Sequence, residues 1–523
     1  MRFLFGFLCL VGVLNASAQS KSETYAQAIR IADLQQHLGI IAGDEMEGRE
    51  TGTEGQRKAA AYIENHFRSL GLNAPVALNG YQQYFPLYQD SLLSCVFSIR
   101  KKEAVYGTDY ICPAMNNDNR SWKSKGIVFA GYGIEDTHYN DYTTLDVTNK
   151  VVIVMLGEPK SDGKYLVTGT NKPSEWTFPG IGKKLKTAAS KGALAVLFIN
   201  PTQPELTSKQ AEGSRKTNVY YPRKSDQPIS QLQLSHAFAK QLLGETTDAL
   251  IKKASLMTVY DGVDYVRQST KLKFSFEENH QLIQASNVVG MLEGTDKKDE
   301  YVFITGHYDH LGKRDGKIYY GADDDGSGTV AVMQMATAFV QAAKEGNRPR
   351  RTLVFMTVSG EEKGLWGSEY YSENPVFPLD KTSVDLNIDM IGRVDTERKT
   401  DDTLNYVYVV GHDKISTELP LINEGMNKQY SNLVLDYKFD DPNDPNRIYY
   451  RSDHYNFARK GVPVLFFYDG MLKADYHKPT DTVDKINWLL YQKRAQMIFH
   501  TAWEMANRDE MLQRDLPIPT GTR

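Results

Sequence analysis

The sequence predicts an α/β protein, a mixed and mostly parallel sheet sandwiched by helices, interrupted by an inserted β-rich domain. Three observations predict it. From residue 285 onward, near-continuous apolar runs ("YVFITGHYDH", "TLVFMTVSGEE", "VDLNIDMIG", "GVPVLFFYDG") alternate with amphipathic stretches. That is the pattern of strands buried on both faces and joined by helices. Several of these runs end in His, Asp or Glu, and ligands of open α/β sheets bind beyond the carboxyl ends of the strands. Between residues 86 and 282 the texture changes to short β-branched runs set among turn residues, as in "SKGIVFAGYGI", "NKVVIVML" and "GALAVLFIN".

The elements follow in order. "MRFLFGFLCLVGVLNASAQS" has a basic Arg2, an apolar run from Phe3 to Leu14 and the small-residue site Ala16-Ser17-Ala18. It predicts a cleaved leader over residues 1–18 and an exported protein. Cys9 lies inside the apolar run, which speaks against a lipid anchor, and no later stretch is long and apolar enough to span a membrane. "ETYAQAIRIADLQQHLGIIAG" and "TEGQRKAAAYIENHFRSLGL" carry helical periodicity, with "GDEMEGRETGTEG" between them as a loop. Thr51 or Thr53 is placed to cap the second helix and Gly71 to end it. Residues 19–85 are assigned to the first part of the α/β body, 86–282 to the insert and 283–523 to the main part of the body.

The 523 residues are 41% hydrophobic and 24% charged, with a formal net charge of −4. That composition is globular. The absence of a basic stripe excludes a nucleic-acid partner. Once the leader is gone, only Cys95 and Cys112 remain. They are too few for a disulfide scaffold or a cysteine zinc site, and their pairing is left open.

At the predicted strand ends stand His307 and Asp309, then Asp324 in "GADDDGSGT", then Glu361 and Glu362, then Asp389, with His477 in "YHKPTDT" near the C-terminus. Imidazoles and carboxylates without cysteine suit zinc in a catalytic rather than a structural site. If buried, such a cluster is stable only with a cation among the carboxylates. His307 and Asp309, two apart in a strand, point to one side. Gly326 and Gly328 allow a tight turn beside the acids, and Asp325 or Ser327 is placed to cap the following helix.

The motifs "GHYDH", "GADDDGSG", "SGEEKGLWGS", "NIDMIGR" and "YHKPTDT", in that order, resemble those of the co-catalytic di-zinc peptidases. These are family 28 of the metallopeptidases, which includes secreted aminopeptidases and glutamate carboxypeptidases. "SDHYNFARKGVPVLFF" resembles the family's segment before its last ligand, and the insert looks like a protease-associated domain. The resemblance implies a zinc-exopeptidase-like fold, peptide substrates and two zinc ions. It implies that His307 and Asp389 hold one ion and Glu362 and His477 the other, with Asp324 bridging. It further implies Glu361 as general base, Asp309 as the carboxylate orienting the His307 ring, and Tyr450 or Tyr476 as an oxyanion donor. His310, His412 and His454 match no ligand position and are expected to be structural or peripheral. Arg393, Arg447 and Arg451 are expected to be surface cations, the alternative being a grip on a substrate carboxylate. The resemblance points first to an aminopeptidase. A carboxypeptidase or dipeptidase of the glutamate carboxypeptidase type is the alternative, ahead of a glutaminyl cyclase or a non-catalytic ectodomain.

Overall fold

The structure, a computed structural model of the chain, describes residues 21–114, 119–222, 228–244, 247–256, 266–267, 270–400 and 404–519. The expected leader lies outside them. Among the described residues no helix is long and apolar enough to cross a membrane. The chain divides into two compact units, Met1–Phe85 with Gln284–Arg523, and Pro86–Ile283.

The sheet of the first unit runs Val434–Asp436, Tyr406–Val410, Val464–Tyr468, Thr382–Ile388, Lys297–His307, Arg351–Val358 and the part of Leu272–Leu292 from residue 284 onward, in spatial order. The central strands Val464–Tyr468, Thr382–Ile388, Lys297–His307 and Arg351–Val358 are mutually parallel. Tyr406–Val410 and Leu272–Leu292 flank them and pair antiparallel with them. Three of the central strands are buried from end to end and Lys297–His307 is buried from Val302 onward, which is why these stretches read as unbroken apolar runs.

Alternation along each strand divides the core. In Lys297–His307, Val302 and Ile304 pack with the helices Ile31–Ile41, Glu54–Leu70, Gly328–Lys344 and Trp488–Asn507. Phe303 points the other way, among Tyr371 of Trp366–Glu373 and Phe457 of His454–Ala458. The period of two puts successive side chains on opposite faces, so one strand serves both layers. Gly71, at φ 82, ends Glu54–Leu70 as expected. Neither threonine caps that helix. Thr53 occupies the N-cap position but donates to the Glu50 carbonyl, and Thr51 donates to Asp309.

In the second unit, the expected strands are Ile127–Phe129, Val151–Met155 and Ala195–Ile199. They run parallel to one another and to Ser230–Leu234. Helices Ile181–Ser190 and His236–Leu243 accompany them, so this unit is itself α/β. Cys95 and Cys112 are free thiols there.

Candidate metal centre

The carboxyl ends of adjacent parallel strands bring the candidate residues together. His307 is the last residue of Lys297–His307, and Asp389 follows Thr382–Ile388. Glu361 and Glu362 lie in the turn after Arg351–Val358, and His477 sits in the loop before Trp488–Asn507. Asp324 belongs to the wide turn Ala322–Ser327 that leads into Gly328–Lys344.

Nε2 of His307 lies 3.3 Å from Oδ1 of Asp324, 3.6 Å from Oδ1 of Asp389 and 3.9 Å from Oε2 of Glu361. Nε2 of His477 lies 3.2 Å from Oδ2 of Asp324 and 3.0 Å from Oε2 of Glu362. The chain thus forms two groups of donors that share Asp324, each group facing a different carboxylate oxygen.

These residues fit a divalent cation. His307 Nε2, Asp324 Oδ2 and Glu362 Oε1 are buried and have no hydrogen-bond partner. An unpaired buried polar atom is costly, and several aimed at one another call for a shared positive charge. His307, Asp324 and Asp389 form one set spaced to hold an ion, and His310, Asp324 and Glu362 another. With no sulfur among them, the donors are of the kind that holds catalytic zinc. The crowding also moves protons. Burial, with the charges of Asp389 and Glu362 beside it, pushes Glu361 well above the usual carboxylate range, against the pull of His307. Burial works against the His477 cation, yet the carboxylates of Asp324 and Glu362 beside it push it up to about 10. A dication among these carboxylates would hold them ionised.

The acidic triplet divides into three roles. Asp324 faces the imidazoles. Asp325 Oδ1 accepts from the backbone N–H of Gly328 at 2.8 Å and of Met390 at 3.0 Å, and its Oδ2 accepts from that of His307 at 3.1 Å. Asp325 therefore caps the helix and ties its start to two strand ends; the Ser327 hydroxyl instead donates to the Asp323 carbonyl. Asp323 Oδ1 accepts from the Gly392 amide at 2.8 Å. The amides of Asp323 and Asp324 in turn point at the Asp481 carboxylate. Gly326 and Gly328 do not supply a left-handed turn. A Cβ at Gly328 would stand 2.2 Å from the Ile388 carbonyl, so close approach demands that glycine. The left-handed position is Gly321, at φ +56.

Several expectations need correction. His307 Nδ1 meets the main-chain oxygen of Asp309 at 3.1 Å, and the Asp309 carboxylate stands 3.7 Å off. That carboxylate instead spans the Thr51 hydroxyl, at 2.6 Å, and the Glu361 amide, at 3.2 Å. His310 is not peripheral: fully buried, its Nδ1 lies 2.8 Å from Oε1 of Glu362. Of the tyrosines, Tyr476 lines the cleft with Asp324, Glu361 and Asp389 and stacks on His477 at 3.8 Å. Tyr450 lines a different cleft, beside Arg447. Arg393 is not a surface cation; it is mostly buried and paired with Asp475 at 2.8 Å, whereas Arg447 and Arg451 are exposed. His454 is fully buried against Phe466, a structural place. His412 pairs with Asp440, where Lys414 already supplies a cation.

Sequence reasoning missed Arg49, Thr51 and Ser452. Ser452 donates to Asp389 Oδ2 at 2.7 Å. It sits inside the quoted "SDH" segment, which was the available signal. Arg49 and Thr51 sit in a segment whose composition reads only as a loop.

Over 216 residues the chain is 27% identical to a probable leucine aminopeptidase of Arthroderma otae, covering 40% of this chain and 55% of that one. Over 437 residues it is 23% identical to a glutamate carboxypeptidase 2 homolog of Caenorhabditis briggsae, covering 75% of this chain and 55% of that one. The chain thus spans about half the length of these curated relatives. The solved aminopeptidase from Aneurinibacillus sp. strain AM-1 superposes with a TM-score of 0.52 at 16% identity, covering 96% of this chain and all of that one, an agreement in fold. The sequence model of peptidase family M28 matches residues 287–502. Residues 287–502 thus carry a peptidase family M28 domain.

Proposed function

We propose that this protein is an exported metallo-exopeptidase that removes N-terminal residues from peptides, with two zinc ions held by His307, Asp324, Asp389, Glu362 and His477. The observation that carries the reading is the pair of donor groups sharing Asp324, with buried lone pairs left unpaired toward a common centre. Zinc, when bound, supplies Lewis acidity and lowers the pKa of water. Glu361, at the cleft and next to both donor groups, takes the proton from the attacking water and returns it to the leaving amine. Tyr476 presents its hydroxyl in the same cleft to the oxygen on which charge develops. Asp325 and Ser452 fix the strand ends and Asp389 through hydrogen bonds. The insert is read, from its sequence, as a protease-associated domain.

The test compares metal-replete protein on amino-acid p-nitroanilides and on N-blocked peptides with a free carboxyl end. Cleavage of the anilides, abolished by a chelator and restored by zinc, is the expected result. Cleavage of the blocked peptides alone would make the protein a carboxypeptidase, and cleavage of neither would end the exopeptidase reading.

A further inference from the structure

Arg49 lies before the matched region, in the Gly-rich stretch between the first helices. Its side chain is fully buried. Nε donates to the Tyr308 carbonyl at 2.7 Å, Nη1 to those of Ile41 and Tyr320 at 2.7 Å, and Nη2 to that of Gly321 at 2.9 Å. Tyr308 is next to His307, and Tyr320 and Gly321 lead into Asp324. One planar fork therefore fixes the separation of the segments that carry the two residues. The chain continues the pattern. Glu50 receives the Lys363 ammonium at 2.5 Å, directly after Glu362. Thr51 gives its hydroxyl to Asp309 Oδ2, whose other oxygen receives the Glu361 amide. The backbone of this loop packs as tightly: Gly312 N–H bonds the Gly48 carbonyl, and a Cβ on Gly48 would meet the Tyr319 oxygen at 2.5 Å.

A guanidinium buried against carbonyls, with no carboxylate within ion-pair distance among the described contacts, is a poor way to stabilise a core; an apolar side chain commonly does as well. Asp309, Asp324, Asp325 and Asp481 lie close enough to offset part of its burial cost, which ties it electrostatically to the acids of the site. We propose that Arg49 and Thr51 are positioning residues of the metal centre: they brace the ligand-bearing strand ends from a segment far away in sequence, and they set metal affinity and geometry without touching metal.

The inference rests on the reading that this site holds metal, and the experiment separates the two. The full chain, its Arg49→Lys and Thr51→Val variants and the conservative Thr51→Ser are stripped of metal and titrated with cobalt(II) against a chelator. Metal-free melting temperature and the visible spectrum of the cobalt-loaded protein are recorded alongside. Groups behind metal ligands typically govern affinity by about 10–100-fold. The expected result is a loss of at least about 10-fold in affinity, with an altered cobalt spectrum, for Arg49→Lys and Thr51→Val, and recovery in Thr51→Ser. Wild-type affinity and spectrum in both variants, or a lower melting temperature as the sole change, overturns the brace. If Arg49→Lys does not fold, Thr51→Val decides by the same readouts. Failure of the unaltered protein to bind cobalt or zinc overturns the metal reading itself.

Discussion

Asp324 turns Oδ1 toward the His307 ring, 3.3 Å from Nε2, and Oδ2 toward the His477 ring, 3.2 Å from Nε2. One carboxylate so placed can serve two ions, whereas its neighbours in the triplet are turned to the backbone: Asp325 accepts three amides and Asp323 Oδ1 accepts that of Gly392.

Substitutions in the triplet should therefore separate. Asp324→Asn should lower bound metal at both positions, since the amide offers one ligating oxygen in place of two and carries no negative charge. Asp325→Asn should instead destabilise the metal-free fold by about 2–3 kcal/mol, because all three of its bonds come from N–H groups and an amide nitrogen facing one of them leaves buried donors unpaired. Metal content and urea unfolding read the two effects independently. Loss of metal in Asp325→Asn with unchanged metal-free stability would contradict this division.

Glu361→Gln should retain metal and lose on the order of 10²–10⁴ in kcat on an amino-acid anilide. The amide keeps the shape and removes the base. Wild-type turnover in this variant would take Glu361 out of the reaction.

At the second donor group, two imidazoles compete. His477 reaches both Asp324 and Glu362, while His310 reaches Glu362 at 2.8 Å and Asp324 at only 3.9 Å. His477→Ala should cost one metal per chain by elemental analysis. His310→Gln should weaken that same ion yet allow full loading at high zinc. The opposite pattern would make His310 the ligand.

The tyrosines differ in the cleft they line. Tyr476→Phe should lower kcat on the order of 10², the usual effect of removing one oxyanion donor, with KM little changed. Tyr450→Phe should leave kcat near that of the unaltered protein. Equal losses would mean that the cleft assignment does not predict function.

Acid should destabilise the first unit through His454. Burial holds its ring down to about 3. An unfolded chain takes up that proton near pH 6.5, so the contribution to stability is complete above pH 6.5 and is lost as pH falls toward 3, at about 1.4 kcal/mol per pH unit. His454→Phe should flatten this limb in denaturant titrations between pH 6.5 and 4. An unchanged slope would show that other groups set it.

Much of the site was legible because its residues follow strands. An apolar run that ends in His, Asp or Glu marks where a parallel strand delivers polar groups to the edge of the sheet, and His307, Glu361, Glu362 and Asp389 are found in such places. The cap role of Asp325 was also readable, being a contact between residues three apart. The bracing of the loops was not readable. Arg49 and Tyr308 are 259 positions apart, and composition carries no record of such a contact.

By itself, then, the sequence determined the alternation of buried strands and helices, the order of the acidic and imidazole motifs and the chemical class of their donors. These depend on local periodicity and residue type. Only the tertiary structure decided that Asp324 offers its two oxygens to different imidazoles, that Asp309 answers Thr51 rather than the His307 ring, that His310 joins Glu362, and that Tyr476 rather than Tyr450 enters the cleft. Each of these turns on the direction of a side chain relative to a segment remote in sequence. That direction is fixed by how strand ends and loops pack against one another, and by which buried polar groups must satisfy each other once water is excluded.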